Sequence, residues 1–596
     1  MRYPTLTVLP TSRDFVDVFA GYNHNLRIGE GEFYDMKNIT SDEYPVLSPR
    51  KKRGVFASPT NHPAGLIAKD TLCYVDGSDL VLDGYPIEMG LSTAEEDNPK
   101  QLVSMGAYII ILPDKKYINT ADVADFGDIE ASVTTSVPVS FELCTITGEE
   151  YAVSYVQADA PTEPENMTLW IDTSSSPHVL KQFSDVSNTW VSIATTYIKL
   201  KATGIGKAFN KFDGVNISGL KDTDLIDSAT GDVIHEDGIS AIDGSHVIWD
   251  KGDDFIVVVG LLDNVRTLSN AVTITRQMPI MDFVVESENR LWGCRYGTDI
   301  NGNVVNEIYA CKLGDFKNWN CFMGVSTDSY VASVGTDGQF TGAITHLGYP
   351  LFFKETCLHK IYGNFPSNYQ IQTTACRGVQ KGCGGSLAIV NEILYYKART
   401  AVCAYDGSLP TEISSALGDI AYSDAVAGAH GNKYYISMKD VSDVYHLFVY
   451  DTKRGVWHKE DNTQADAFCS CRGEMYYIDH ADGAIKTVLG SGETETLPVD
   501  WLVETGVLTT NMPDKKYISR IVVRMSLGVG TRVQFFIQYD SQGDWKHLFT
   551  MTGNNLRSFA VPVRPRRCDH LRLRIEGEGD AKIYSIAKTV EQGSDY

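Results

Sequence analysis

The stretch Ala465–Gly483, ADAFCSCRGEMYYIDHADG, decides how the chain is read. A run of strand-type residues meets a turn at Arg472-Gly473, and the run that follows carries the paired aromatics Tyr476 and Tyr477. Glycine supplies the backbone angles of a tight turn, and the flanking Ala, Phe, Cys, Tyr and Ile are at home in strands. The same pattern lies upstream in VAGAHGNKYYIS from Val426, LAIVNEILYYKARTAVCAYDG from Leu387 and AITHLGYPLFFKE from Ala343. These four copies begin about 40 residues apart, the period of a four-stranded propeller blade. Earlier copies are MDFVVESENRLWGCRYG from Met281, LVSMGAYIIIL from Leu102 and LIAKDTLCYVDGSDLVLDG from Leu66. LFVYDTKRGVWHKE from Leu447 reads as the outer hairpin of one blade, turning at Lys453-Arg454-Gly455 with Trp457 packing back.

Helical periodicity is almost absent, so the expectation is an all-β chain with a β-propeller-like body of about six or seven blades. An unrepeated stack of sheets is the competing architecture. Two regions break the rhythm. Residues 131–275 hold longer, more regular strands (VTTSVPVSFEL, TWVSIATTYIKLKATG, DDFIVVVGLLD) and read as an inserted β-domain. Residues 494–596 alternate over long runs such as TRVQFFIQYDSQGDWKHLFTM and HLRLRIEGEGDAKIYSIAKTV, which reads as a C-terminal β-sandwich or jelly roll. The expected order is therefore an N-terminal arm (1–60), first blades (61–130), insert (131–275), remaining blades (276–493) and sandwich (494–596). The hexapeptide PDKKYI occurs at Pro113–Ile118 and Pro513–Ile518, and reads as convergent turn chemistry.

Over 596 residues, 52 basic against 76 acidic side chains give a net charge of −24, with 43% hydrophobic residues. Such a chain folds, and its sign is wrong for gripping nucleic acid as a main activity. The acidity is uneven: residues 1–60 hold 8 basic and 7 acidic side chains, residues 494–596 hold 14 and 12, and residues 131–275 hold 8 and 20. No signal-peptide pattern opens the chain and no run approaches ~18 apolar residues, so synthesis in a cytoplasm without a membrane anchor is expected. The 12 cysteines lack any CxxC pair and sit among strand residues, as structural thiols do.

Most catalytic motifs are missing. Thr203-Gly204-Ile205-Gly206-Lys207-Ala208 lacks the first glycine and the Ser/Thr of a P-loop and reads as a turn. Asp299-Ile300-Asn301-Gly302-Asn303 places its glycine too early for a calcium loop. Ser184-Asp185-Val186-Ser187-Asn188-Thr189-Trp190 approaches the sialidase-type turn but lacks its Asp and Gly at the required places. Asp253-Asp254, Asp243 and Glu286/Glu288 are the carboxylates available for glycoside chemistry, which needs a separation of roughly 5–10 Å. The expectation is no enzyme, no cofactor and no metal.

Two basic clusters stand out: Arg50-Lys51-Lys52-Arg53, and Arg564, Arg566, Arg567, Arg572 and Arg574. Arg572 and Arg574 alternate with leucines and face one side of a strand. They form either a solvated face or a docking surface for an acidic partner.

The segment Asn25–Gly54, with its Gly-Glu, Asp35-x-x-Asn38, Leu47-x-x-Arg50 and Gly54 spacing, resembles tail proteins of double-stranded DNA bacteriophages, in particular the packaged-DNA stabilisation, or tail nozzle and hub, proteins. Thr189–Gly219 and the ending RPRRCDHLRLRIEGEGDAKIYSI are similar to that group too. The resemblance implies a virion component without an active site: a ring, usually of six copies, below the portal and adaptor proteins and in contact with tail fibres or spikes. Packaged DNA would be retained by the ring and pass through it during ejection without being bound, because an acidic wall repels phosphate over the ~8 Å screening length. Asp35 and Asn38 would shape the turn that positions the N-terminal arm, and Arg50 to Arg53 would reach an acidic neighbour. The alternative reading is a β-propeller glycan-binding or glycan-hydrolysing tail-associated protein, or a tail-tip component of a long-tailed phage.

Overall fold

The computed structural model describes residues 11–592 except 94–98, 137, 222, 227–232, 237–238, 240–241, 269, 300–301, 509–515, 554 and 565. Among them, outside the insert, six four-stranded sheets keep their strands side by side in chain order and a seventh borrows its outer strand from the N-terminal segment; these seven are propeller-type blades. They begin at Ala64, Gln101, Phe283, Gly342, Ala388, Tyr422 and Ala465. Each repeat read from the sequence supplies the two inner strands of one blade. The seventh blade, Ala465–Cys471, Glu474–Asp479 and Ile485–Thr487, takes its outer strand from the other end of the chain, Gly54–Ala57. Tight turns join the inner strands: at Leu347-Gly348 and at Arg472-Gly473 both residues have positive φ, the twist that matches a right-handed hairpin.

The chain divides into two compact units. The first comprises Met1–Leu102, Gly338–Lys360 and Thr373–Tyr596. In it Leu72, Tyr74 and Val81 of the first blade pack on Cys471, Ile478 and Ile485 of the seventh, and Tyr435, Leu447 and Val449 of the sixth pack on Met475 and Tyr477. The expected sandwich is present as two facing sheets, and the N-terminal segment belongs to it. Thr11–Val16 pairs with Ala581–Gln592, and Glu32–Lys37 pairs with Asp500–Thr505. Alternation does the rest: Val533, Phe535 and Ile537 point inward from one strand, Leu571, Leu573 and Ile575 from its neighbour.

The second unit comprises Val103–Asp337 and Ile361–Gln372. Its inserted β-structure enters on Ala131–Thr134 and leaves on Thr273–Arg276, and these strands lie antiparallel with Ala131 opposite Arg276. An insertion whose ends meet costs its host little, because the interrupted connection stays short. A core of Phe141, Ile198, Leu200, Ile217, Ile256 and Ile274 fills it. Among the described residues no helix is long and apolar enough to cross a membrane, and all twelve cysteines are unbridged.

Candidate functional site

The sequence-singled residues of the N-terminal segment form an internal anchor. Asp35 lies on Glu32–Lys37, caps the Met36 amide at 2.9 Å and pairs with Lys459 at 3.0 Å. Asn38 is buried at φ 54°, donates to the Asp500 carbonyl at 2.7 Å and accepts from Arg50 Nε at 2.8 Å. Arg50 forks onto Glu495 at 3.0 and 3.1 Å. Arg53 reaches Glu460 at 2.7 Å and Asp461 at 2.9 Å beneath the Tyr477 ring. Burial alone would push the Asp461 carboxyl up, but the Arg53 charge and the Thr463 contacts hold it below the usual carboxylate range. For Arg50 and Arg53 the expectation of reaching a neighbouring molecule is corrected here. Arg50 and Arg53 are spent inside the chain, because a guanidinium taken out of water must find carboxylates. Lys51 is exposed and Lys52 half-exposed.

The C-terminal cluster divides the same way. Arg572 and Arg574 share one strand face, as expected, but both pair with the buried Glu504 and lie over the Trp545 ring. Arg564, Arg566 and Arg567 are exposed, with Arg566 over Tyr539 at 5.5 Å.

The carboxylates considered for glycoside chemistry cap turns. Asp254 accepts from the Gly204 amide at 2.7 Å, Asp243 from Leu220 at 3.3 Å and Glu286 from Asn289 at 2.9 Å. The Gly204–Lys207 stretch is a turn, as read, packed so closely that a Cβ on Gly206 would meet the Gly252 carbonyl at 2.0 Å.

A different surface gathers aromatic and charged side chains. Within the insert, Tyr155–Gln157, Leu169–Asp172, Val179–Ser184 and Thr189–Ser192 form one sheet. Leu169, Ile171 and Leu180 bury one face with Leu143. Register and alternation put Tyr155, Trp170, Phe183 and Trp190 on the other, together with Asp172, Lys181 and Gln157. The segment Ser184–Trp190 is the hairpin between the last two strands, and its Trp190 packs edge-on against Trp170 at 5.1 Å and Phe183 at 5.4 Å. Trp190 is half-exposed and Tyr155 is 39% exposed, so the row has a buried floor and two open rings. Lys181 Nζ stands 4.9 Å over the Trp170 ring and pairs with Asp172 at 2.7 Å. Hydrogen bonds from Lys181 and Ser174 hold the Asp172 carboxyl at about 2. It is an acceptor at any working pH and no proton donor.

A second constellation was invisible in sequence. His62 follows the closing strand of the seventh blade, Asp466 is the second residue of that blade's first strand, and His480 begins the loop after its second. His62 Nε2 and His480 Nδ1 meet the two oxygens of Asp466 at 2.6 and 2.9 Å. Only the register of Ala465 opposite Asp479 and of Ala57 opposite Ile485 assembles them, so no local spacing announces the trio.

No family model matches the chain, and no curated protein matches it. Solved structures do. An exo-β-1,3-galactanase from Phanerochaete chrysosporium matches at 9% identity and TM-score 0.21 over 51% of this chain and 94% of its own. A GH43 glycoside hydrolase engineered for endo-xylanase and exo-arabinofuranosidase activity matches at 9% and 0.20 over 52% and 96%. Trypanosoma rangeli sialidase matches at 9% and 0.23 over 98% and 96%. Likenesses at 9% identity and TM-scores of 0.20 to 0.23 carry nothing about this chain's own activity, and the expectation that the chain is no enzyme is not upheld.

Proposed function

We propose that this β-propeller protein recognises glycans through the aromatic face of its inserted sheet. The observation that carries the reading is Trp190, half-exposed and fixed by Trp170 and Phe183 with Lys181, Asp172 and Gln157 on the same face. A sugar presents a C–H face that stacks on an indole and hydroxyls that need donors and acceptors at its rim, and this face supplies both. The aromatic floor is paid for in folding, so little ordering is left for binding. The test is titration of the full chain against a panel of bacterial surface polysaccharides, with Trp190→Ala and Lys181→Ala beside the parent. We expect micromolar to millimolar binding to at least one glycan, weakened at least about tenfold by Trp190→Ala, the scale of one lost aromatic contact. Binding indifferent to Trp190, or none across the panel, rejects the reading. Product analysis in the same assay separates a hydrolase from a binder.

A second reading places the chain in a phage tail as a nozzle or hub ring that packaged DNA crosses. Its support is the exposed Lys51, Arg564, Arg566 and Arg567 at the ends of a chain whose net charge is −24, an arrangement suited to copies docking on one another. Mass photometry at low and high salt tests it: a ring of about six copies that loosens with salt supports docking, and a salt-indifferent monomer rejects it.

A further inference from the structure

The trio His62, Asp466 and His480 lies on a different unit from the aromatic face, and its chemistry stands apart from glycan recognition. We propose that it is a binding site for a divalent transition-metal ion of the zinc class. The two histidines and the carboxylate offer one ligand atom each, and these atoms all lie within 4.8 Å of one another. Around a tetrahedral zinc with bonds near 2.1 Å, ligand atoms stand roughly 3.3–3.5 Å apart. The 2.6 and 2.9 Å contacts must open by roughly 0.4–0.9 Å to reach that spacing. Side chains that are 47%, 30% and 54% exposed can make that movement. Two imidazoles favour zinc, nickel, copper or iron over magnesium and calcium, which take oxygen shells. Three protein ligands at a surface leave a fourth position for water.

The supports of the trio are built in. The Asp76 carboxylate accepts from the backbone amides of Thr60 and Asn61 at 3.1 and 2.8 Å, fixing the segment that ends in His62. Burial would raise the Asp76 carboxyl, but these bonds and the Asn61 side chain hold it below the usual range. The His480 amide donates to the Gln464 carbonyl at 3.0 Å, which ties its loop to the strand carrying Asp466. Asp479 and Asp482 cap the amides of Ala481 and Ala484 within the same loop. A Cβ on Gly483 would stand 3.1 Å from His62 Nδ1, so the loop runs close beside the ring and only glycine leaves the imidazole room there. An ion held here would tie residue 62, just past the closing strand Gly54–Ala57, to the blade which that strand completes. Occupancy would then resist opening of the seam, since ligand bound only to the folded form stabilises it.

The experiment uses the full chain stripped with a chelator, then titrated with zinc by calorimetry and with cobalt by visible absorption. The expected result is one equivalent per chain, a cobalt d–d band, and a thermal midpoint that rises with zinc. His480→Gln and Asp466→Asn should each weaken zinc at least about tenfold while their metal-free melting stays with that of the metal-free parent. His62→Gln is the third variant, and it keeps the test decisive if one of the others fails to fold. Absence of saturable one-equivalent binding overturns the proposal. So does binding that the folded variants leave within tenfold of the parent, which would place the ion among the other histidines.

Discussion

Arg53→Met asks whether the basic N-terminal cluster anchors the fold or docks a partner. Arg53 is 6% exposed, and its guanidinium binds Glu460 at 2.7 Å, Asp461 at 2.9 Å and the Thr463 hydroxyl at 2.8 Å. Methionine preserves much of the stem packing against Tyr477 and deletes the charge. Asp461 keeps Arg50 at 3.7 Å, but Glu460, itself 3% exposed, is left as a buried carboxylate whose cation is gone. Breaking a buried pair from one side costs about 3–5 kcal/mol. For a unit of this size about 1–2 °C is lost per kcal/mol, so its thermal transition should fall by roughly 3–10 °C. Adding Glu460→Gln should recover a large part of that loss, because the stranded charge goes with it. The assay is calorimetry of parent, single and double variants, with mass photometry on the same samples. A docking arginine would instead leave the transition in place and lower the assembly state. A loss below about 1 kcal/mol, or no recovery in the double variant, refutes the anchor.

Three further outcomes are expected. Burial pushes the His458 imidazole down to about 3, with Lys433 adding to it, and His359 down to about 4, with Lys354 adding to it. The unfolded chain protonates both near pH 6.5, so stability is full above that value and falls as acid is added, by up to ~1.4 kcal/mol per pH unit for each histidine; a thermal midpoint flat between pH 7.5 and 5 contradicts this. Gly577→Ala would place a Cβ 2.3 Å from the buried Trp501 ring, and overpacking of this kind costs about 1–3 kcal/mol, read as a lower denaturation midpoint of the sandwich. Arg290, 1% exposed, donates to the carbonyls of Cys311, Ser326 and Asp328, so Arg290→Met should release the 311–329 loop to limited proteolysis, and unchanged cleavage would deny it that role.

The body was legible because a blade is local: its first two strands and the turn between them fit inside 10 to 19 residues and repeat. Closure was not, since Gly54–Ala57 pairs with Ile485–Thr487 across more than four hundred residues and nothing in GVFA marks it as an outer strand. The sandwich was half legible. Its long alternating strands stood out, whereas Thr11–Val16 and Glu32–Lys37, which complete its two sheets, are short and polar enough to read as an arm. The basic runs misled because sequence shows charge without burial, and Arg50 and Arg572 look identical to a solvated arginine until Glu495 and Glu504 are placed beside them.

The acidity itself takes a different meaning in the folded chain. Read as a sum, −24 suggests a repulsive wall. Read residue by residue, many carboxylates are committed to the turns that a chain of short strands must make. Asp328 accepts from three consecutive amides, Met323, Gly324 and Val325, at 2.7, 2.6 and 3.1 Å. Asp451 caps Lys453 and Arg454 at the outer turn of the sixth blade, and Glu474 holds the amides of Leu489 and Ser491. An amide left unsatisfied at a turn costs more than a surface charge does, and aspartate is the shortest side chain that reaches back to it with a full negative charge. A protein built of some fifty short strands therefore accumulates acid as a by-product of its connections. The trio partner Asp466 is of another kind: it caps no turn amide in this way but is shared by two histidines at a surface, with its geometry already set.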